Sequence, residues 1–250
     1  MQRFVTKLLL RSQLSGEEQE AILRLNCRAT QVRARTDIVS PGETVDHACL
    51  VAQGLVARFD QMLDGDRQIT SFYIPGDMAD LHSVVSPAAA WGITALSPAT
   101  VVRVPHKELL EVARAYPAIM LAFWRDTVAD GSVLAKWVGN LGRQDARARL
   151  AHVLCEIGMR MELAGLGTRT AFELDATQDQ LADALGLTAV HVNRTLQRLR
   201  AERAVMTRGH VVEVLDWPRL ADIAEFDPDF LLLGKADCAL LPGTRATSQR

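Results

Sequence analysis

The chain has 250 residues, enough for one large domain or two modest ones, and its 48% hydrophobic and 23% charged residues are the balance of an ordinary globular protein. A formal net charge of −2 offers nucleic acid no general attraction, so such a partner has to be met by a local cluster of charge. The four cysteines, Cys27, Cys49, Cys155 and Cys238, are scattered without a C-x-x-C pair or metal-ligand spacing, and read as buried or incidental thiols rather than a metal site.

Near the start, Leu8–Leu10 between Lys7 and Arg11 is too short for a signal peptide, and no run approaches the roughly 20 apolar residues of a bilayer span. A cytoplasmic protein with no membrane partner is expected. Ser15 and Glu18 form a capping-box pattern ahead of Ile22, Leu23 and Leu25, which predicts a short helix. From about residue 31 to 104, β-prone stretches such as Leu55–Phe59, Ile69–Ile74 and Val101–Val104 alternate with Gly-containing turns, the texture of an antiparallel barrel or roll. Asp64-Gly65 is its strongest hairpin signal, because Gly takes the positive φ such a turn needs. His47, His82 and His106 stand isolated, without a nucleophile or acid cluster, so no catalytic or metal site is expected and the chain does not read as an enzyme.

Helical spacing returns after Pro105. A long helix is predicted from Pro117, and its apolar residues Leu121, Phe123, Trp124, Val128, Val133, Leu134, Trp137 and Val138 cover more than one face. One face is expected on the body and the other on a second copy, with Phe123, Val128, Leu134 and Trp137 as interface residues. Asn140-Leu141-Gly142 interrupts the pattern and is taken as the boundary and hinge. A further helix carries Leu150, Val153, Leu154 and Ile157, with Arg143, Arg147 and Arg149 near its start as candidate phosphate contacts.

The most informative stretch is residues 177–214. Thr177 and Gln180 form a second capping box, Leu181, Ala184 and Leu185 an apolar stripe, Gly186 a break, and Thr188 a cap for a longer helix. A short helix, a glycine turn and a longer helix are the parts of a helix-turn-helix. Projected at about 100° per residue, Val192, Leu196 and Leu199 fall together, opposite Val190, Asn193, Arg194, Gln197 and Arg198, with His191 at the edge. Amide and guanidinium groups on one face suit base edges in the major groove of double-stranded DNA. Between residues 189 and 210, five arginines (194, 198, 200, 203 and 208) face one acid, Glu202, which makes a local positive face. The segments 204–206 and 211–214 around Arg208-Gly209-His210 read as a two-stranded wing.

Three segments resemble the Crp/Fnr family of bacterial regulators: TQDQLADALGLTAVHVNRTLQRLR at 177–200, VGNL at 138–141 with Asp145 beyond, and DGDRQITSFYIPGD at 64–77. The fold that resemblance implies is α+β: an N-terminal antiparallel β roll of the cyclic-nucleotide-binding type (residues 1–116), a dimerisation helix (117–140) and a C-terminal winged helix-turn-helix (141–217), here followed by an extension (218–250). It implies a homodimeric transcriptional regulator on a palindromic site, with RNA polymerase as a further partner. Arg194 matches the arginine that contacts a guanine in the half-site, and Val190 stands where a glutamate is common. With Val190, His191, Asn193 and Arg194 reading bases, Thr177, Gln178, Thr188, Gln197, Arg198 and Arg208 are expected on the DNA backbone.

The sensor half departs from the family pattern. Cyclic AMP-binding members follow the Gly-Asp turn with Gly-Glu and later Arg-Ser, where this chain has Met78-Ala79-Asp80-Leu81 and Ala90-Trp91-Gly92-Ile93, and the long helix has Leu134 and Ala135 where polar residues meet the base. No arginine stands there to neutralise a phosphate. The N-terminal cysteine cluster of the iron–sulfur branch and an evident haem ligand are missing too, so no cofactor is expected and the effector is unassigned. The alternative to a DNA-reading regulator is a ligand-binding or protein-interaction module whose helix-turn-helix no longer functions.

Overall fold

The structure is a computed structural model and describes residues 1–234; the tail from Pro242, expected to be disordered, and Cys238 lie outside them. Two helices open the chain. In α1 (Gln2–Leu9), Phe4, Val5 and Leu8 are buried; α2 (Gly16–Leu23) starts on the expected capping box, with Ser15 accepting from Glu18 N–H.

Seven antiparallel strands follow as two facing sheets. The first is ordered β1 (Arg28–Val32), β7 (Ala99–Pro105), β3 (His47–Gln53), and the second β2 (Thr36–Val39), β6 (Gly92–Ala95), β4 (Val56–Gln61), β5 (Arg67–Tyr73). The β4–β5 hairpin closes through Gly65 at φ +96°, as Asp64-Gly65 predicts. A bulge between Arg58 and Phe59 shifts that hairpin's register. On β4, Val56 joins the core inside the roll, whereas Ala57 and Phe59 join a second core outside it.

After α3 (His106–Ala115), α4 runs from Pro117 to Arg143, about 40 Å at 1.5 Å per residue. Pro117 starts it at a position where a missing N–H costs nothing. The expected break at Asn140–Gly142 does not occur: Gly142 stays helical on an open face, and the helix ends at Gln144 (ψ 149°). Asp145 then caps α5 (Ala146–Leu163), accepting from Ala148 N–H at 2.8 Å.

The rest is a three-stranded sheet and three helices: β8 (Ala171–Glu173), α6 (Gln178–Leu185), α7 (Ala189–Ala201), β9 (Val205–Arg208), β10 (Val211–Val214) and α8 (Trp217–Ala224). The expected wing is β9–β10, and β8, which the sequence pattern does not reveal, pairs with β10 as its third strand. Beyond α8 the chain turns back on the body, with Leu231 buried and Phe226 and Phe230 flanking the His152 ring, each at 5.3 Å between centroids. His152 is wholly buried there, which pushes its pKa down to about 3 and keeps it neutral.

The second core joins the two halves of the molecule. Phe59, Ile69, Phe72 and Ile74 of the roll share it with Trp137 of α4 and the apolar faces of α5, α6 and α7. Polar bonds cross the same seam. Gln68 Nε2 donates to the Asp183 carbonyl at 2.6 Å, and Gln180 Nε2 to that of Leu96 at 3.2 Å. Arg160 donates to the Phe72 carbonyl and to Asp77.

Candidate nucleic-acid interface

The α6–α7 pair is built by local rules. Thr177 and Gln180 close a reciprocal capping box at the start of α6. Gly186 ends the helix at φ +61°, ψ +46°, the left-handed geometry glycine takes at no steric cost, and Leu187 N–H bonds back to the Ala182 carbonyl. Arg149 reaches over from α5 to donate to the Leu185 carbonyl at 2.6 Å. Thr188 then caps α7, accepting from His191 N–H at 3.2 Å.

Helix α7 buries Val192, Thr195, Leu196 and Leu199 and leaves Val190, His191, Asn193, Arg194, Gln197 and Arg198 exposed. Val190 is 62% exposed, an apolar side chain held in water on a polar face. Asn193 Nδ2 donates to Gln178 Oε1 at 3.2 Å, so the first helix orients an amide of the second. Arg194 takes part in no hydrogen bond or ion pair among the described residues and has its whole guanidinium fork available. Arg198 is exposed but rests on Glu202 at 3.2 Å. Thr177, Gln178 and Thr188 are exposed at the helix amino ends, and Arg208 is exposed on the wing beside Gly209 at φ +59°. Of these candidates, Thr188, Val190, His191, Arg194 and Arg198 line a groove of about 580 Å³ between the start of α5 and α7; Thr177, Gln178, Asn193, Gln197 and Arg208 lie outside its lining.

Several cations expected toward phosphate are engaged inside the protein. Arg147 bonds Glu202, whose carboxyl is held below its ordinary range by that bond first and by Arg198 next. Arg149 is used at the α6 end, and Arg200 contacts Thr207 of the wing. The long helix also corrects the expected interface. Phe123 is buried, stacked on Phe4 at 6.0 Å, and Trp137 is buried edge-on to Phe72 with Nε1 donating to Glu156 at 2.7 Å. Leu134 is half-buried. Val128 is exposed, in a stripe with Leu121, Trp124 and Val138.

Inside the roll, Arg58 is 3% exposed and holds Asp130 of α4 at 2.6 Å, while Tyr73 donates to the other carboxylate oxygen at 3.0 Å. Burial opposes the Arg58 charge, and Tyr73 and Asp130 together outweigh it. The guanidinium lies 5.2 Å from the Trp91 ring, and the His82 ring packs on the same indole at 5.0 Å. Asp80 is buried and accepts from Cys49 N–H at 2.6 Å, its pKa pushed up to about 6 by desolvation. His47 pairs with Asp46 and His106 with Ser83, each at 2.8 Å. Among the described residues no group of three or more His, Cys, Asp or Glu is placed to hold a metal ion, and no helix is long and apolar enough to cross a membrane.

A capped helix, a left-handed glycine turn, a polar-faced second helix and a wing define a winged helix-turn-helix DNA-binding domain. Residues 148–223 match the Crp-like helix-turn-helix domain family and residues 29–116 the cyclic nucleotide-binding domain family. The chain belongs to the Crp/Fnr family of transcriptional regulators. It is 26% identical over 202 residues to the transcriptional activator protein FnrL of Cereibacter sphaeroides, covering 79% of this chain and 80% of that one. It is 28% identical over 212 residues to the probable transcriptional regulator flp of Lacticaseibacillus casei, covering 84% and 93%. Among solved structures, FixK2 from Bradyrhizobium japonicum shares the fold with a TM-score of 0.73 at 24% identity, over 80% of this chain and 98% of that one.

Proposed function

We propose that this regulator reads a palindromic DNA site as a homodimer in the cytoplasm, through α7, and that its roll responds to something other than cyclic AMP. The observation that carries DNA reading is the unengaged Arg194 fork, set beside Val190, His191 and Asn193 on the open face of α7. Arg on guanine O6 and N7 is the commonest of the direct contacts such a face makes, and Val190 suits a thymine methyl rather than cytosine N4. Thr177, Gln178, Thr188, Gln197, Arg198 and Arg208 take the flanking phosphates.

Dimerisation is supported by the unpartnered stripe on α4. Leu121, Trp124, Val128, Ala135 and Val138 recur at the three–four spacing of a coiled-coil seam, with Gly131 completing it. In this assignment residues 1–116 are the sensing unit and α4 is the dimer helix. The DNA-reading unit starts at Asp145, and RNA polymerase is the downstream partner. Against cyclic AMP stands the polarity of the roll: Arg58 is already paired with Asp130, and the turn that follows Asp77 presents buried Asp80 rather than a cation. Binding of the full-length protein to an inverted repeat and to its isolated half-site, with mass measured by light scattering, tests the reading. A dimer that prefers the full repeat is expected; a monomer, or equal affinity for both duplexes, overturns it.

A further inference from the structure

A small cavity lies where four parts of the chain meet: α1, the Pro75–Gly76–Asp77 turn of the roll, the carboxyl end of α5, and Leu231 and Leu233 beyond α8. Its walls carry four cations, Arg3, Lys7, Arg11 and Arg160, against one carboxylate, Asp77. The surrounding acids do not balance them. Lys7 Nζ sits 2.9 Å from Asp77 and 3.2 Å from Asp126, and Arg160 divides between Asp77 at 2.6 Å and Glu156 at 2.7 Å. Arg11, its side chain nine-tenths buried, donates through Nε to the Leu231 carbonyl at 2.8 Å. Its Nη1 lies 3.5 Å from Asp126 and has no hydrogen-bond partner. Arg3 is exposed at the rim and has no carboxylate partner among the described residues. Four cations therefore share three carboxylates.

The inner three, Lys7, Arg11 and Arg160, are matched by Asp77, Asp126 and Glu156, so the uncompensated charge is that of Arg3 at the rim. Desolvation depresses the Arg11 pKa, and the neighbouring Asp126 and Asp77 offset that burial only in part. An oxyanion with several acceptors placed among these donors would meet the uncompensated charge of Arg3 and offer the Arg11 guanidinium a further acceptor. The cavity leaves about 40 Å³ for the centres of water-sized groups, room for about three waters and hence for one phosphate-sized group rather than a nucleotide. Gly76 keeps the walls close: its φ is +105°, and a Cβ there would stand 3.1 Å from the Arg3 Cβ.

The geometry points to an anion site in which Arg3, Lys7, Arg11 and Arg160 hold the phosphate group of a small ligand, either free phosphate or a short phosphate monoester whose remainder lies at the mouth. Its walls join α1 and the roll turn to α5, the helix that opens the DNA-reading unit, so the bound anion ties the two halves together. That consequence rests on the proposed function; the site itself does not.

The test is isothermal titration of the full chain with inorganic phosphate and with glycerol phosphate at matched ionic strength. Saturable binding of one anion per protomer is expected. Arg3→Glu reverses an exposed charge that the fold does not use and is expected to weaken binding at least tenfold. Arg11→Lys keeps the charge but loses the planar fork and should weaken it also. Arg194→Ala, on the DNA face, should leave it unchanged. A preference for glycerol phosphate identifies a monoester ligand, and equal affinity identifies phosphate itself. Heats that do not saturate, unchanged affinity in Arg3→Glu, or loss of binding in Arg194→Ala would each overturn the site. Operator affinity measured with and without the anion then tests coupling. No difference between wild type and Arg3→Glu refutes the coupling, whereas failure of every variant to bind DNA counts against the DNA-reading assignment and not against the anion site.

Discussion

Replacing Arg194 by Ala should separate sequence reading from general DNA attraction. The side chain is exposed and makes no ion pair among the described residues, so its removal should change folding stability by less than about 0.5 kcal/mol. A bidentate arginine–guanine pair is worth about 1–3 kcal/mol of discrimination, and a dimer presents it twice. The expected loss on a cognate palindrome is then about 2–6 kcal/mol, roughly thirtyfold to more than ten-thousandfold in affinity. On a scrambled duplex only the positive charge is lost, and the decrease should be severalfold. Fluorescence anisotropy on both duplexes at one fixed salt concentration reads the difference directly. Arg208→Ala is the contrast: a wing cation on phosphate should weaken both duplexes alike and lower the salt slope by about one counterion. If Arg194→Ala weakens cognate and scrambled DNA by the same factor, the base-reading assignment is wrong.

Other substitutions test the rest of the structure. Trp124→Glu or Val128→Glu places charge in the exposed α4 stripe and should convert the protein to a monomer with its circular dichroism intact; a retained dimer mass argues against that seam. Phe123→Ala, on the buried side, should instead cost about 3–5 kcal/mol in denaturant unfolding. Trp137→Phe removes the hydrogen bond to buried Glu156 and should destabilise by about 1–3 kcal/mol, a loss absent if that carboxylate is solvated. Asp80 carries a pH signature. Its folded pKa of about 6 is above its ordinary value of 3.8, so the folded state holds the proton more tightly and its stability falls as pH rises from about 4 to 6, then levels. Relative to Asp80→Asn, wild type should lose about 3 kcal/mol across that window. Parallel curves would refute the buried-acid assignment.

What the sequence discloses and what it conceals follow from the range of the interactions. Both capping boxes, the Asp64-Gly65 hairpin and the two faces of α7 depend on neighbours within a turn or two, and each is legible in the chain. Gly142 misleads because one glycine costs a helix only about 1 kcal/mol, and the packing of a 27-residue helix overrides it. Phe123 and Trp137 mislead for another reason. A helix apolar on two sides does not say which side its own body uses, although the spacing of 121, 124, 128, 135 and 138 held the discriminating signal. The short β8 lies below what periodicity resolves, since three residues carry no pattern. The Arg58–Asp130 pair joins positions 72 apart and leaves no local trace.

The runs Leu55–Phe59 and Ile69–Ile74 carry more information than a roll requires. A roll strand with one wet face alternates, whereas Leu55-Val56-Ala57 and Phe72-Tyr73-Ile74 are unbroken apolar stretches of the kind carried by strands covered on both faces. The structure supplies the second cover: α6 packs on β5, with Phe59, Ile69 and Phe72 beneath it and Gln68 bonded to the end of the helix. Helix α7 is therefore positioned through α6, which is fixed to the sheet, and through α5, which is fixed to the roll by Arg160 at Phe72 and Asp77. Breaking buried charged contacts of this kind costs several kcal/mol per partner removed, and apolar cores repack between discrete states rather than deform continuously. A change in the position of α7 relative to α4 consequently has to shift this layer as a unit, because the two-residue Gln144–Asp145 junction offers no free linker to bend in its place.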